Sequence, residues 1–415
     1  MRALLLGLLC LLGLSARADS PGLDGGHIKG RWLTSTYPEE SLFRDALGAV
    51  THDQGADLRA KFSARHERIG FRADYTLLGQ FGDSVAVGEA LNDSLFLPPT
   101  VPDDEFRWWD LTHEISDGKH HAVVQRLDRL YVDYSGDKLV GRFGRQAVSW
   151  GNGLIYNPVD FFNPFSPAAV DTEYKLGDDM LYAQYLRDSG DDWQMVHVVR
   201  RDLDGDVHSE VASTALKYHG FDVEREYDLV VAEHFDQFTA ALGGVLNVGD
   251  AVVRGDLMVV DGLDEWTALL VANWSYSWEW GGYNVSGLVE YFFNGFGLRE
   301  SEYTPEDLAG ATDLVSRIAR GELFTLGRHY LAGSMMIEVT PLLHLTPNLF
   351  FNMGDGSALA QLVLQWDLAQ NWQLLGALAL PLGPSGTEFG GLESGVEDLT
   401  LASGPTVFAQ IAWYF

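Results

Sequence analysis

Cysteine, cationic residues and long apolar runs are all scarce in this chain of 415 residues. Its one cysteine, Cys10, lies inside an apolar run that spans residues 3–14. Ala16-Arg17-Ala18 follows this run as a small-residue cleavage site, so residues 1–18 are predicted to be a secretory signal peptide that is cleaved after Ala18. The mature chain would then have no cysteine, which excludes disulfide bonds and thiolate metal sites.

Cations are outnumbered, with 28 Lys and Arg against 59 Asp and Glu and a formal net charge of −31. This excess argues against nucleic acid as a partner, because phosphate backbones bind basic surfaces. The hydrophobic content of 46% and aromatic content of 12% are too high for a disordered acidic chain. Beyond the leader there is no uninterrupted apolar run of about twenty residues, so no transmembrane helix is predicted.

The last nine residues show what the chain has instead. Val407, Ala409, Ile411, Trp413 and Phe415 form one apolar face, because successive residues of a strand point to opposite sides. An ordinary sandwich strand would also alternate. However, a lipid-facing stripe that ends in Phe at the last position resembles the closing strand of bacterial outer-membrane β-barrels. The resemblance implies a Gram-negative outer-membrane location and recognition of the terminal Phe by the outer-membrane assembly machinery.

The same two-residue period recurs along the chain. In 265–280, Trp266, Trp274 and Trp278 alternate with polar residues, and only Leu269 and Val271 interrupt the polar side. This pattern is typical of strands with lipid on one face and water on the other. The predicted strands are 25–37, 56–65, 68–81, 119–134, 137–149, 179–188, 192–201, 207–218, 221–233, 236–247, 250–261, 264–279, 282–295, 322–338, 341–353, 356–368, 371–382 and 404–415.

These segments predict an all-β fold in which residues 19–415 form one transmembrane antiparallel β-barrel. The count is about eighteen strands, with sixteen as the alternative, and closure is required because an open edge in lipid leaves backbone groups without partners. If the C-terminus is periplasmic, the short turns fall on the periplasmic side. The long connections then fall on the outer side, near 38–55, 82–118, 150–178, 296–321 and 383–403. Short helices are predicted to begin near Tyr37-Pro38 and at Thr304-Pro305.

The hairpin around Ser135-Gly136 carries four arginines. A two-residue turn would place Arg129 opposite Arg142, with both in the lumen. Arg126 and Arg145 would then point outward, toward the phosphates of lipopolysaccharide, unless a bulge at Gly144 intervenes. The alternative is that these arginines simply pair with acids of the barrel wall, such as Asp128.

The connection after this hairpin combines acids with the apolar rings of Tyr156, Phe161, Phe162 and Phe165. The barrel interior is the nearest place to bury those rings, so this third outer loop is predicted to fold inward. An inward third loop whose acids face wall arginines resembles the constriction of general bacterial porins. The string 141–146, GRFGRQ, with Trp150-Gly151 resembles the G-R-Q segment of porin-like and alginate-export-like outer-membrane families. The resemblance covers only this hairpin and loop and carries over Arg142, Arg145 and Gln146.

The resulting prediction is an outer-membrane porin: a passive channel for small hydrophilic or charged solutes, in contact with outer-membrane lipid and lipopolysaccharide. The predicted constriction consists of Arg129, Arg142, Arg126, Arg145, Gln146, Asp160, Asp171 and Glu173. One alternative is an export conduit for a hydrophilic polymer, although alginate exporters are expected to have a strongly basic pore and this chain is acidic. The other alternative is a hydrolase at the outer rim.

Signals for enzymes, metals and cofactors are weak. His234 and Asp236 lie near one predicted outer turn, and His197 and His208 flank another, but the spacing alone identifies no catalytic group. No nucleotide-binding fingerprint or zinc motif occurs, so neither an enzyme nor a cofactor is predicted. The outer turn with Asp202, Asp204 and Asp206 has carboxylate spacing compatible with a hard cation, and a solvated acidic turn is the alternative.

Overall fold

The computed structural model describes residues 19–86, 101–223 and 225–415, so the predicted leader lies outside the described residues. Eighteen antiparallel strands form a closed barrel, and β21 closes it by pairing with both β18 and β1. The barrel strands are β1 (Asp19–Thr36), β2 (Val50–His66), β3 (Ile69–Gly82), β5 (His121–Ser135), β6 (Leu139–Gln146), β7 (Asp178–Leu186), β8 (Asp192–Val198), β9 (Ser213–Phe221), β10 (Arg225–His234), β11 (Gln237–Val248), β12 (Ala251–Asp261), β13 (Trp266–Trp280), β14 (Tyr283–Asn294), β15 (His329–Thr340), β16 (Leu343–Asn352), β17 (Ala358–Ala369), β18 (Trp372–Leu382) and β21 (Thr406–Tyr414).

All eighteen predicted strands are present, which confirms the barrel and its strand count. Three short strands were not predicted: β4 (Thr112–Gly118), which pairs with β5, and β19 (Leu392–Glu393) with β20 (Thr400–Leu401). The largest difference in bounds concerns β15, which begins seven residues later than predicted. β1 and β2 begin six residues earlier than predicted, and β9 begins six residues later. The starts of β2, β9 and β15 follow long connections, where alternation fades.

The described residues of the long connections 37–49, 83–120, 147–177, 199–212, 295–328 and 383–405 lie at one end of the barrel, called here the outer end. The connections at the other end, the turn end, are all short, and Phe415 lies there too. Two predicted helices are confirmed in outline: α1 (Leu42–Leu47) begins after the cap Ser41, and α2 (Pro305–Gly310) begins with a capping box on Thr304. A further helix, α3 (Thr312–Ala319), follows directly. None of the helices in the described residues is long and apolar enough to cross a membrane.

The predicted register of the β5–β6 hairpin is wrong. The two-residue turn lies at residues 137–138 rather than at Ser135-Gly136, with Gly136 N donating to Leu139 O at 2.8 Å, and Arg142 lies opposite Asp133 rather than Arg129. Because the shift is four residues, an even number, Arg142 keeps its predicted inward face. Asp128 bulges out of the pairing between β3 and β5. The bulge places both Asp128 and Arg129 toward the interior.

The barrel interior is only partly polar. Inward-facing Leu269 and Val271 are 2% and 1% exposed, and they join an apolar cluster with Met258, Val260 and Phe292. This cluster packs against aromatic residues of the connection 147–177, which is called here the inner loop. The two interruptions of the alternating pattern in β13 are therefore contacts between the wall and this loop. The third long connection folds inward, as predicted.

Candidate functional site: the lumen and its inner loop

The first half of the inner loop is held on the wall by two buried carboxylates. Glu290 of β14 accepts three consecutive backbone N–H groups, from Leu154 at 2.8 Å, Ile155 at 3.0 Å and Tyr156 at 2.6 Å. Asp256 of β12 accepts the backbone N–H of Asn152 at 2.6 Å and its side-chain amide at 2.7 Å. These N–H groups would otherwise be buried without partners, so the carboxylates fix this stretch in one position.

Aromatic packing adds to this attachment. Tyr156 stacks on Phe292 of β14 with ring centroids 4.9 Å apart, and Trp150 donates to Gln194 of β8 at 2.9 Å. Gly153 leaves no room for a side chain, because a Cβ there would lie 1.9 Å from the carbonyl oxygen of Tyr156. The Asn, Gly and aromatic content of this stretch therefore serves a tight turn pressed against β8, β12 and β14.

The second half of the inner loop contacts the opposite side of the barrel. Gln361 of β17 donates to the carbonyl of Ala168 at 2.9 Å. Lys29 of β1 pairs with Asp171 at 2.7 Å and with Glu173 at 2.8 Å. The Tyr174 ring lies beneath Arg59 and Lys61 of β2, at 4.1 and 4.6 Å from its centroid. Residues 168–174, called here the strap, thus run along β17, β21, β1 and β2.

Asp160 and Lys175 form a buried ion pair inside the loop itself. Lys175 also donates to the carbonyl of Val148 at 2.6 Å. Burial raises the pKa of Asp160 to about 6, although the Lys175 ammonium acts in the opposite direction. The pair joins the start of the loop to its end and does not face the lumen, so in this conformation Asp160 contacts no passing solute.

Arg126, Arg145 and Gln146 are 2%, 0% and 1% exposed, and they lie in the wall where β6 ends. Arg145 binds Asp179 with two hydrogen bonds of 2.8 Å and binds Asp104 at 2.8 Å. Asp104 comes from the long connection before β4. Burial opposes its ionisation, yet the hydrogen bond and charge of Arg145 hold its pKa below the usual range. The cluster joins the connection before β4 to the wall, where Arg145 also donates to the carbonyl of Trp109 at 2.5 Å.

Gly144 explains how Arg145 reaches that cluster. Its φ of +130° is a conformation that favours glycine, and a Cβ there would lie 2.2 Å from the Leu130 carbonyl oxygen. The pairing of β6 with β5 and β7 continues through Gly144 without a register shift, so the bulge considered there is not formed. The irregularity is confined to the backbone angles of this glycine. Arg129, in contrast, donates to Asp128 at 2.7 Å and to the carbonyl of Lys175 at 2.6 Å. It pairs with the wall acid that the alternative interpretation named.

Four lumen-facing cations have no carboxylate within ion-pair distance among the described residues. Arg254 of β12 donates instead to Ser275 at 2.9 Å. The other three lie close together along the barrel wall: Arg31 of β1, Lys61 of β2 and Arg142 of β6. Arg142 stacks on Tyr182 at 5.0 Å. Arg31 lines a cavity of about 400 Å³ on the outer side of the strap, with Asp171, Gln361, Thr406, Phe408 and apolar side chains. Of the three, the sequence pattern identified only Arg142. Arg31 and Lys61 were missed, although their alternation along β1 and β2 marks them as inward.

A larger cavity of about 620 Å³ lies at the outer mouth, between three long connections. Its lining is acidic: Glu40, Glu302, Glu393, Glu397 and Asp398. These five carboxylates give the outer mouth a local negative charge. The strap carboxylates Asp171 and Glu173 are the predicted loop acids that reach the water-filled interior, and they face Lys29 instead of Arg129 or Arg142.

His234 is part of a buried row of polar groups. Ser213 Oγ lies 2.7 Å from His234 Nδ1, and Glu322 Oε1 lies 2.9 Å from His234 Nε2. The order resembles a hydrolase triad, but His234 and Ser213 are each 1% exposed, and Arg200 donates to the serine oxygen at 2.6 Å. Burial opposes ionisation of Glu322, but His234 and the neighbouring arginines hold its pKa well below the usual range. The row ties the connection 295–328 to the wall.

The remaining candidates are exposed rim residues. Asp202 accepts the backbone N–H groups of Asp204 and Asp206, each at 3.0 Å, so this acidic turn is organised by its own backbone. Across the described residues, no three His, Cys, Asp or Glu side chains are arranged to hold a metal ion. The cation site considered for Asp202, Asp204 and Asp206 is therefore not formed. His197 hydrogen-bonds Thr214 at 2.9 Å, and Asp236 occupies a tight turn with φ of +58°.

No protein-family model and no curated protein sequence matches this chain. Solved structures of similar fold include OccAB1 of Acinetobacter baumannii, at 10% identity and a TM-score of 0.51 over 96% of this chain and 99% of that one. A BenF-like porin from Pseudomonas fluorescens Pf-5 is 9% identical, with a TM-score of 0.51 over 97% and 98% of the two chains. Wzi of Escherichia coli, described as a carbohydrate-binding β-barrel involved in capsule assembly, is 10% identical, with a TM-score of 0.51 over 93% and 83%. This chain therefore has the fold of outer-membrane porin barrels.

Proposed function

We propose that this chain is a channel of the bacterial outer membrane that passes small hydrophilic solutes by passive diffusion, with a preference for anions. The porin-type fold supports the class of function and the location. A cleaved leader at residues 1–18 and recognition of Phe415 during assembly are part of the same proposal. The outward apolar side chains, such as Trp266 and Trp274, would contact outer-membrane lipid.

The observation that carries the preference for anions is the set of unpaired lumen cations, Arg31, Lys61 and Arg142. A cation attracts an anion at 7 Å by about 0.6 kcal/mol in bulk water and by about 2.4 kcal/mol at an effective dielectric constant of 20. Three such residues on one side of the lumen would favour anions over cations several-fold. The constriction in this proposal lies between these cations and the strap, while Arg126, Arg145 and Gln146 support the wall.

The test is the reversal potential of the purified protein in planar bilayers with a KCl gradient. We expect anion selectivity in the wild type and its loss in the variant Arg31→Gln/Lys61→Gln/Arg142→Gln. Lys138→Gln is the matched control, because Lys138 lies at an exposed turn and pairs with Asp188 at 2.6 Å. Absence of conductance steps, or a reversal potential that the triple variant leaves unchanged, would refute the proposal.

A second candidate is a barrel that binds a carbohydrate or accompanies export of a hydrophilic polymer. One observation favours binding over passage: the inner loop contacts both β12–β14 and the opposite strands β17, β21, β1 and β2, so a polymer-wide path would require its displacement. Saturable oligosaccharide binding by a protein that gives no conductance would support this candidate. A rim hydrolase has less support, because Ser213 and His234 are closed to solvent.

A further inference from the structure

The two halves of the inner loop are attached by different chemistry. The first half is held by Glu290 and Asp256, which accept backbone N–H groups in buried positions, and by stacked rings. The strap is held mainly by Lys29, whose single ammonium faces two carboxylates, those of Asp171 and Glu173. Salt weakens ion pairs that solvent reaches on one side more than it weakens hydrogen bonds to fully buried carboxylates. The two halves should therefore respond differently to dissolved ions.

Solvent reaches the strap but not its ends. The side chains of Asp171 and Glu173 are 24% and 34% exposed, whereas that of Lys29 is 3% exposed. The strap is followed by the buried Lys175, which donates a hydrogen bond to the carbonyl of Val148 and forms an ion pair with Asp160. At the first residue of the strap, the carbonyl of Ala168 accepts a hydrogen bond from Gln361. Movement would thus be confined to a few residues between two fixed points.

Contacts other than those of Lys29 also hold the middle of the strap. Gln410 of β21 hydrogen-bonds Asp171, and Tyr414 donates to Glu173 at 2.9 Å. Tyr174 packs beside His27 with ring centroids 5.3 Å apart. Arg59 and Lys61 lie over the same Tyr174 ring. If both carboxylates left Lys29, that ammonium would join Arg31 and Lys61 as a third free cation in one part of the lumen.

The position of the strap links these contacts to passage. Ala168, Val170 and Asp171 form one wall of the 400 Å³ cavity, whose other walls belong to β1, β17, β18 and β21. Lys61 and Tyr174 lie farther toward the turn end. A displaced strap would therefore join the cavity to the lumen below it.

We propose that the strap is a gate that opens when dissolved anions displace Asp171 and Glu173 from Lys29. The inference rests on the proposed function, because a gate requires a conducting lumen. An entering anion takes the place of the strap carboxylates at the ammonium, and the released carboxylates return to water. Solute and gate thus compete for the same cation.

The first experiment is hydrogen exchange of the whole protein in detergent, measured by mass spectrometry at 0.05 M and 1 M KCl. We expect amides of 168–174 to exchange about fivefold faster or more in 1 M KCl, because the Debye length falls to about 3 Å. Peptides covering 150–157 are the internal control and should keep their rates relative to the barrel strands. Asp171→Asn/Glu173→Gln should exchange rapidly at both salt concentrations.

The second experiment is single-channel conductance across the same range of KCl. Wild-type conductance should rise more steeply than bulk conductivity, and Asp171→Asn/Glu173→Gln should be in the high-conductance state already at low salt. Glu338→Gln is the matched control, because this luminal carboxylate contacts only Asn284, at 3.0 Å, in the interactions described. Equal conductance of wild type and strap variant at every salt concentration would overturn the gate while leaving the channel intact.

The two measurements separate the gate from the channel. If no protein conducts, the proposed function fails, and the gate fails with it. If the proteins conduct but strap exchange is independent of salt, the gate alone fails. Salt-dependent exchange confined to the strap, together with high conductance of the double variant at low salt, supports both.

Discussion

Glu290 offers the sharpest test of how the inner loop is held. Its carboxylate is fully buried and accepts the N–H groups of Leu154, Ile155 and Tyr156, together with the amide of Asn273 at 3.0 Å. Glu290→Ala would leave three buried backbone donors without an acceptor. Glu290→Gln keeps the shape of the side chain but turns an NH₂ group toward those donors.

The size of the effect follows from the number of donors. A buried donor without a partner costs about 1–3 kcal/mol, so three would cost about 3–9 kcal/mol if nothing moved. The loop can relax by detaching from β14. The destabilisation caused by the mutation therefore cannot exceed the free energy with which the loop docks on β14. We therefore expect Glu290→Ala to detach residues 152–156 while the eighteen-strand barrel persists, since the wall hydrogen bonds are untouched.

The assay is limited proteolysis of the detergent-solubilised protein, combined with the shift in gel mobility on heating that reports an intact barrel. Chymotrypsin should cut near Leu154 and Tyr156 in Glu290→Ala and Glu290→Gln but not in the wild type. Glu338→Gln serves as the control for removing a luminal carboxylate. Wild-type resistance to cleavage in both Glu290 variants would refute the assigned role of this carboxylate.

Two further predictions concern other parts of the molecule. Burial raises the pKa of Glu388, which accepts a hydrogen bond from Tyr330 at 2.5 Å, to about 7. Because the pKa is higher in the folded than in the unfolded state, this group should add up to about 3 kcal/mol to the free energy of unfolding. That contribution is present below the unfolded pKa near 4.5 and is lost as the pH rises through 7. The unfolding temperature of the wild type should therefore fall relative to that of Glu388→Gln between pH 5 and 8. Parallel pH profiles of the two unfolding temperatures would contradict a raised pKa of Glu388. Gly144→Val should abolish barrel assembly in the heat-modifiability assay because of the clash with Leu130, whereas Gly141→Ala should assemble, since its Cβ would meet nothing nearer than 4.0 Å.

The barrel could be predicted because the alternation of apolar and polar residues that produces its strands is a local property of the sequence. A period of two with aromatic ends identifies a lipid-facing strand without knowledge of its partners, and the same property fixes inward and outward faces. The pairing register of the β5–β6 hairpin was harder to predict from the sequence. The hairpin after β5 turns at Asp137-Lys138, two residues later than predicted, and β5 has a bulge at Asp128. Neighbouring residues such as Ser135 and Gly136 are equally suited to a turn, so the sequence does not distinguish the two positions.

The partners of the inner loop were not predictable from local pattern. Asp171 and Glu173 pair with Lys29, which lies about 140 residues earlier in the chain. The sequence around each segment does not indicate which residues it contacts. The nearby arginines instead satisfy acids of the wall and of the connection before β4. One signal was present in the sequence. Leu269 and Val271 interrupt the polar side of β13, and an apolar pair that faces the lumen indicates that another segment of the chain packs against it.

The chemistry of the anchoring half follows from what residues 152–156 lack. The stretch contains no cation, so a carboxylate buried against it must be satisfied by N–H groups. Gly153 permits the tight turn that aims three of those groups at one side chain. An attachment of this kind is insensitive to salt and to passing ions. If conduction through this barrel depends on ionic strength more steeply than bulk solution does, we therefore expect the loop's contribution to come from the strap, where Lys29 holds two carboxylates within reach of water.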